Sequence, residues 1–341
     1  MTTFTPSTPG KLPPKRKFTL PKGAPQVMAL VLLFLINAVI ADNFFSIHIQ
    51  DGRLFGSVID IFNRGAPVAL LTIGMTLVIA TGGIDLSVGA VMAISGAVMA
   101  NMASSGYAPA TILICSLLAG LACGIWNGFL VAVFKIQPIV ATLILMVAGR
   151  GIAQLITQGQ IVTFNNDTLS WFGSGSFLLL PTPIILLILA ALAVWALTKK
   201  TALGLFIESV GINIKAAKNA GINTPAIVMS VYAVSGVMAA LAGIIVAADI
   251  KGADANNAGL WLEMDAILAV VIGGTSLMGG RFNLLLALVG AFIIQSINTG
   301  ILLSGYQPQW NHIVKSVVVL LVLVMQSPAV IQWMKRKLNH D

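Results

Sequence analysis

The sequence predicts an all-α polytopic membrane protein with about ten transmembrane helices, and three observations support this. Hydrophobic residues make up 57% of the chain and charged residues only 9%, whereas a soluble globular protein carries about 25% charged residues. Mean hydropathy is +0.96. Apolar runs of roughly 20 residues, the length that crosses a bilayer, recur along most of the chain. We therefore expect one transmembrane domain over residues 26–331.

Both ends of the chain differ from this domain. Residues 1–25 are polar, basic and rich in proline, so we predict a disordered cytoplasmic tail there, and a second cytoplasmic tail over 332–341. An uncleaved first span is favoured over a cleavable signal peptide, because the basic region is long and many apolar runs follow. The predicted spans are 26–41, 58–80, 84–104, 109–134, 138–158, 181–199, 226–248, 265–279, 282–303 and 310–331.

The basic residues orient these spans. The formal net charge of +8 is dispersed at the ends of apolar runs, which argues against a nucleic-acid surface. With both termini in the cytoplasm, 14 of the 19 lysines and arginines fall inside, as the positive-inside rule expects. They are Lys11, Lys15, Arg16, Lys17, Lys22, Lys135, Lys199, Lys200, Lys215, Lys218, Arg281, Lys335, Arg336 and Lys337.

Two glycine-rich stretches interrupt the apolar pattern. We call GGIDLSVG (82–89) the first glycine turn and GGTSLMGG (273–280) the second glycine turn. Glycine interruptions at corresponding positions of a membrane protein indicate a transport path, although ordinary interhelical turns would look similar. The residues that form the two motifs are Gly82, Gly83, Asp85, Ser87 and Gly89, and Gly273, Gly274, Ser276, Gly279 and Gly280.

Two charged residues fall within predicted apolar spans, where a charged side chain is unfavourable. Asp85 follows two glycines and precedes an apolar helix, so we interpret it as an N-cap, with direct contact to a transported solute as the alternative. Arg150 is predicted near mid-membrane, where a guanidinium needs a partner. A carboxylate such as Asp85 or helix-end carbonyls could supply it. A buried structural pair and a gate element both stay open for Arg150.

Small residues recur at intervals of four in two predicted spans. Gly120, Gly124 and Gly128 lie on one helix face, and Ser235, Ala239 and Gly243 do so in a later span. Such faces let neighbouring backbones approach closely. We interpret both as helix-packing surfaces, with the lining of a transport path as the alternative.

The segment 199–225 is too charged to enter lipid and is predicted on the cytoplasmic side. Asn213 is a good N-cap and Gly221 a good helix stop, so a helix of about two turns is expected between them. Lys215 and Lys218 share one face of that helix. It is either a surface helix whose lysines meet lipid headgroups or a docking helix for a cytoplasmic partner.

The residues 216–221, AAKNAG, fit the Ala-Ala-x-x-x-Gly core of the loop by which permease subunits of ATP-driven, binding-protein-dependent importers engage their ATPases. Lys215 stands where that motif often has glutamate. Together with GGIDLSVG and the run EMDAI (263–267) followed by AVVIGGTSLMGG, this motif makes the chain resemble the ribose-type sugar permease family, which includes the ribose, arabinose and galactofuranose importers. The resemblance covers residues 58–325.

This resemblance implies a type II ABC importer-like permease in the bacterial inner membrane, without catalytic residues of its own. It also implies a second permease subunit, a periplasmic sugar-binding protein and an ATPase with two fused nucleotide-binding domains that binds ATP and Mg. Galactofuranose or a related monosaccharide is the expected substrate. The sequence contains no G-x-x-x-x-G-K-[ST] phosphate loop, which agrees with a separate ATPase. The residues implied to engage it are Asn213, Lys215, Ala216, Ala217, Lys218 and Gly221.

A neutral sugar needs hydroxyl or amide partners along its path, and Asn127, Gln154, Gln295 and Asn298 could supply them. Polar residues in spans also bond neighbouring helices, which is the alternative for most of them. The competing function is an ion-coupled secondary carrier, which usually needs titratable groups near the midplane. An intramembrane enzyme is disfavoured, since no nucleophile and base set is evident.

Overall fold

The computed structural model describes residues 23–50, 52–307 and 309–326, which are mostly helical. The predicted tails, except for residues 23–25, and the end of the last predicted span lie outside the described residues. The helices are α1 Ala24–Ile40, α2 Ser57–Ala80, α3 Val88–Ser104, α4 Pro109–Ala132, α5 Pro138–Ile156, α6 Asp167–Ser174, α7 Thr182–Lys200, α8 Leu203–Ile212, α9 Ile214–Asn219, α10 Thr224–Asp249, α11 Leu262–Ile272, α12 Leu284–Leu303 and α13 Trp310–Gln326.

Each predicted span overlaps one of these helices, and six helices are long and apolar enough to cross a membrane: α2, α4, α5, α7, α10 and α12. The number of ten spans and the cytoplasmic termini stay predictions. Two boundaries were wrong. The third span begins at Val88 rather than 84, because residues 81–87 form turns and irregular backbone. The eighth ends at Ile272 rather than 279, because Gly273 and Gly274 turn the chain, with φ of +85° at Gly274.

Short antiparallel strand pairs also occur, which the all-α prediction did not include. Strands β1 His48–Gln50 and β2 Arg53–Phe55 pair with each other, as do β4 Ser176–Phe177 and β5 Leu180–Pro181, and β3 Val162–Thr163 pairs with β6 Gly252–Ala253. Each strand has only two or three residues, too few to produce an alternating pattern in the sequence.

The helices α2 and α10 form the centre of the bundle. Their apolar windows are 83% and 72% buried, against 22% for α4 and 28% for α5. Because lipid is as apolar as leucine, exposed apolar faces such as those of α4 and α5 suit a bilayer. The central helices can therefore carry polar contacts that the outer helices cannot.

The predicted glycine face of α4 packs on α10 and is confirmed as a packing surface. A Cβ at Gly124 would overlap the carbonyl oxygen of Tyr232, and one at Gly236 would overlap the carbonyl oxygen of Gly120. A Cβ at Gly128 would lie 2.8 Å from the Cα of Met229. The two backbones are therefore in direct contact, as small-residue faces allow.

The connecting segments group at two ends of the bundle. Segments that are predicted on the outer side of the membrane contact each other. The backbone N–H of Leu54 donates to the carbonyl of Leu179 at 2.9 Å, and β3 pairs with β6. Segments predicted inside also meet, since Gly280 donates to the carbonyl of Ala80 at 2.9 Å. This grouping agrees with the predicted alternation of the spans across the membrane.

The backbone contact between α4 and α10 generates a prediction. Gly124→Ala should lower the melting temperature of the detergent-purified chain, because overpacking costs about 1–3 kcal/mol. Gly151→Ala is the matched control, since a Cβ at Gly151 meets nothing within 4 Å; it should be neutral or stabilising, because alanine favours a helix over glycine by up to about 1 kcal/mol. Equal melting temperatures for the two variants would contradict the close contact.

Candidate functional site

The two glycine turns meet at one end of the bundle, together with α8. Gly280 donates to the carbonyl of Ala80, and a Cβ at Gly211 of α8 would overlap that same carbonyl oxygen. Gly82 and Gly279 have φ of +82° and +86°, a conformation that glycine adopts without strain. The end of α2, the second glycine turn and α8 are thus in contact through their backbones.

The rest of the second glycine turn is shaped by its small residues. A Cβ at Gly273 would lie 2.7 Å from the Cα of Ala287, so α11 and α12 approach closely there. The hydroxyl of Ser276 accepts from the backbone N–H of Met278 at 3.2 Å. Gly274 lies next to α1, near the side chain of Gln26. These are turn and packing contacts between neighbouring helices.

The helix predicted between Asn213 and Gly221 is confirmed as α9. The side-chain oxygen of Asn213 accepts from the backbone N–H groups of Lys215 and Ala216, both at 3.0 Å. Gly221, with φ of +85°, follows the helix end. The cap satisfies two amides that a helix start otherwise leaves open.

This short helix is exposed except at one position. Ala217 is 4% exposed and joins the main hydrophobic core. The neighbouring α8 contacts α2, α7 and α10, and it ends one residue before Asn213. Helix α8 therefore connects the exposed surface around α9 to the glycine turns. The predicted ATPase-contacting residues that are exposed on this surface are Asn213, Lys215, Ala216, Lys218 and Gly221.

Asp85 lies at the centre of a buried hydrogen-bond network. Its Oδ1 accepts from the backbone N–H of Ser87 at 3.0 Å and from the Ser87 hydroxyl at 2.6 Å. Its Oδ2 accepts from the hydroxyl of Ser235 in α10 at 2.8 Å. The side-chain amide of Asn127 in α4 donates to the Ser87 hydroxyl at 2.8 Å. All four side chains are at most 2% exposed, so the carboxylate is held by hydrogen-bond donors.

The interpretation of Asp85 as the N-cap of α3 was wrong. The helix begins at Val88 and Ser87 occupies the cap position, because the Asp85 carboxylate closes a local turn onto Ser87 instead. The buried Tyr232 packs against the first glycine turn, since a Cβ at Gly83 would lie 2.7 Å from the Tyr232 hydroxyl. No local sequence pattern marks Tyr232 as a residue of this site.

A second irregular stretch, residues 250–261, contacts the first glycine turn at Gly89. A Cβ at Gly89 would overlap the carbonyl oxygen of Gly259 and lie 2.6 Å from the carboxylate of Glu263. The Asn257 side chain donates to Asp254 at 2.7 Å, and this hydrogen bond holds the pKa of Asp254 below its ordinary value. The backbone of Gly89 at the start of α3 is thus packed against the segment that leads into α11.

Arg150 fixes this second stretch. Its guanidinium donates to the carbonyls of Ala255 at 3.1 Å and Ala258 at 2.5 Å. The side chain of Gln154, one turn further along α5, donates to that of Asn256 at 2.8 Å. A carbonyl partner for Arg150 is confirmed, although the carbonyls belong to a loop rather than a helix end. A pairing with Asp85 was wrong.

The predicted path residues fall at three places. Asn127 belongs to the Asp85 network and Gln154 to the contact with Asn256. Gln295 and Asn298 line one cavity of about 430 Å³ between α11, α12 and α13. Its wall includes an ion pair between Lys315 and Asp265, 2.7 Å apart, which no local sequence pattern indicates because 50 residues separate the partners.

Comparison with known proteins identifies the kind of chain that carries this arrangement. A family model described as "Branched-chain amino acid transport system / permease component" matches residues 57–323. That range includes both glycine turns, α8, α9 and the Asp85 network.

Individual relatives match over nearly the whole chain. The galactofuranose transporter permease protein YtfT of Escherichia coli (strain K12) is 65% identical over 335 residues, 98% of each chain. The fructose import permease protein FruF of Bifidobacterium longum (strain NCC 2705) is 40% identical over 310 residues, 89% of this chain and 87% of the relative. The ribose import permease protein RbsC of Escherichia coli (strain K12) is 37% identical over 305 residues, 88% of this chain and 92% of the relative.

The Asp85 network generates a prediction about charge. In Asp85→Asn the amide oxygen can still accept from Ser87, and the Ser235 hydroxyl can rotate to accept from the new amide, so stability should change by less than about 1 kcal/mol. In Asp85→Leu the donors of Ser87 and Ser235 stay buried without an acceptor, at about 1–3 kcal/mol each. Thermal unfolding of the purified variants measures the difference.

Ser235→Ala and Ser230→Ala form a matched control pair for this network. Ser230 donates only within its own helix, to the carbonyl of Ile227, so only Ser235→Ala should lower the melting temperature clearly. If Asp85→Asn lowered the melting temperature as much as Asp85→Leu, hydrogen bonding alone would not explain how Asp85 stabilises the fold, and its negative charge would be required.

Proposed function

The chain belongs to the family of permease components of branched-chain amino acid type transport systems, and on that basis we propose that it is the permease subunit of an ATP-driven, binding-protein-dependent sugar importer. The names of its relatives support a sugar: permeases for galactofuranose at 65% identity, fructose at 40% and ribose at 37%. Galactofuranose or a related monosaccharide is the substrate that the 65% relative favours.

The proposed assembly contains a second permease subunit, a periplasmic sugar-binding protein and an ATPase with two fused nucleotide-binding domains. ATP and Mg bind to that ATPase, so this chain itself needs no cofactor. The assembly lies in the bacterial inner membrane with both termini of this chain in the cytoplasm, and it moves the sugar inward. The distribution of basic residues supports this orientation.

The observation that carries the proposal is the backbone contact between α8 and the glycine turns. An ATPase bound to α9 would move α8 with it, because only Asn213 separates the two helices. Gly211 of α8 abuts the carbonyl of Ala80 and the backbone of Gly280, so α8 cannot move without displacing the ends of α2 and the second glycine turn. Motion of the ATPase would in this way reach four helices: α2, α3, α11 and α12.

Uptake of radiolabelled galactose, ribose and fructose into membrane vesicles tests the function. We expect uptake of at least one of these sugars to require ATP and the binding protein and to be indifferent to an ionophore, because an ATPase and not an ion gradient supplies the energy. Loss of uptake with ionophore, together with indifference to ATP, would instead establish an ion-coupled carrier.

Docking of the ATPase on α9 is tested by adding bulk to its exposed surface. Ala216→Trp should abolish copurification of the ATPase, because the new ring occupies the surface on which the partner would lie, while the melting temperature of the permease stays unchanged. Ala110→Trp is the matched control, since Ala110 is also exposed and lies at the opposite end of the bundle, in the first turn of α4. Copurification that survives Ala216→Trp would remove the docking role of α9.

A further inference from the structure

The second glycine turn exposes two large apolar side chains at the end of the bundle. Met278 is 87% exposed and Leu277 43%. The backbone around them is fixed, because Gly279 and Gly280 have φ of +86° and +99° and the hydroxyl of Ser276 accepts from the backbone N–H of Met278 at 3.2 Å. The turn therefore holds Met278 away from the rest of the bundle. Exposed apolar side chains that lie together mark interaction sites.

This turn lies beneath the central helix α2. The backbone N–H of Gly280 donates to the carbonyl of Ala80, the last residue of α2, at 2.9 Å. The carbonyl oxygen of Met278 lies 3.8 Å from the position of a Cβ at Gly82. Helix α2 is the most buried of the six candidate spans. Because lipid surrounds the periphery of a bundle, a turn beneath α2 favours a protein partner over the bilayer.

The same turn adjoins the end of α8, where α9 follows. A Cβ at Gly280 would lie 3.3 Å from the side chain of Ile212, and one at Gly279 would lie 2.9 Å from the carbonyl oxygen of Gly211. Ile212 is 69% exposed, and Ile214, the first residue of α9, is 52% exposed. We call the exposed apolar side chains of these adjoining elements the turn–α9 surface: Ile212, Ile214, Leu277 and Met278.

The exposed charges next to the turn–α9 surface are all basic. Lys215 and Lys218 lie on α9, and Arg281 follows the second glycine turn directly; all three are exposed. Residues 203–221 and 273–283 contain one acidic residue, Glu208, which is partly buried. An apolar centre with a basic rim fits a protein whose own apolar contact is bordered by carboxylates.

We propose that the ATPase contacts the second glycine turn directly, with Met278 as an apolar anchor, in addition to its contact with α9. This inference rests on the proposed function, which supplies the partner, and it extends the proposed docking surface from α9 to a second element. A partner bound to both elements would displace the turn between α11 and α12 without acting through α8. Its motion would then enter the bundle at two places.

Photo-crosslinking from position 278 tests the contact. The photo-reactive residue p-benzoylphenylalanine replaces Met278 in the full-length tagged chain, native membranes are irradiated, and adducts are identified by mass spectrometry. We expect an adduct with a protein that carries G-x-x-x-x-G-K-[ST] phosphate loops. Position 178 is the matched control, because Leu178 is 80% exposed in the hairpin at the opposite end of the bundle and should give no such adduct. Adducts with lipid alone at position 278 would overturn the inference and assign the turn to the membrane surface.

Substitution of Met278 gives an independent measurement. Met278→Asp should reduce copurification of the ATPase about tenfold, because the apolar contact is lost and a carboxylate faces an acidic partner. The melting temperature of the permease should not change, since the side chain is exposed. Met278→Leu keeps the apolar contact and should retain the ATPase, and Leu178→Asp should retain it as well.

The outcomes separate this inference from the proposed function. Normal copurification of the ATPase with folded Met278→Asp, together with no ATPase adduct at position 278, would overturn the contact and leave the importer function standing. Absence of an ATPase from wild-type preparations would instead refute the importer function, and the contact with it. An ATPase adduct at position 278 in vesicles that show no ATP-dependent sugar uptake would support the contact and refute the sugar substrate.

Discussion

The structure depends on one constraint: irregular backbone inside a membrane must be hydrogen-bonded and packed within the protein, because lipid offers no partners. Two irregular stretches are hydrogen-bonded and packed within the helix bundle in this way, residues 81–87 and residues 250–261. The Asp85 carboxylate joins the first stretch to α10 and receives a backbone N–H and two hydroxyls. Arg150 holds the second stretch through two carbonyls. The Asp85 carboxylate thus accepts hydrogen bonds from the first stretch and from α10, and the Arg150 guanidinium donates hydrogen bonds to the second stretch. Each charged side chain therefore also satisfies backbone groups of the irregular stretch that it contacts.

Glycines then let these stretches touch other elements without intervening side chains. Gly89 meets Gly259, and Gly211 meets the carbonyl of Ala80, at distances that leave no room for a Cβ. Contacts between backbones are stiff, because no side-chain rotamer can absorb a displacement. A shift of α8 must therefore be taken up by the ends of α2 and the second glycine turn. Stiffness of this kind is what a permease needs if an external motor is to change its state.

Local patterns predicted much of this arrangement, and contacts between distant residues account for what they missed. The Asn213 cap and the Gly221 stop lie within one short segment, so sequence identified α9. The face of Gly120, Gly124 and Gly128 needed only helical periodicity. By contrast, Ser235 lies 150 residues from Asp85, and nothing local to Asp85 indicates that partner. Lys315 likewise lies 50 residues from Asp265, its ion-pair partner, so no local pattern indicates that contact.

Several charged groups in the described part of the chain are compensated by contacts within the protein, and this favours a conduit for a neutral solute over an ion-coupled carrier. Asp85, Arg150 and the pair of Asp265 with Lys315 are each compensated by the protein. A carrier driven by an ion gradient would need a charged group whose partner changes with the coupling ion. On the proposed function, the energy for uphill transport comes instead from a separate ATPase, and the exposed helix α9, which follows α8 directly, is the surface proposed to bind it.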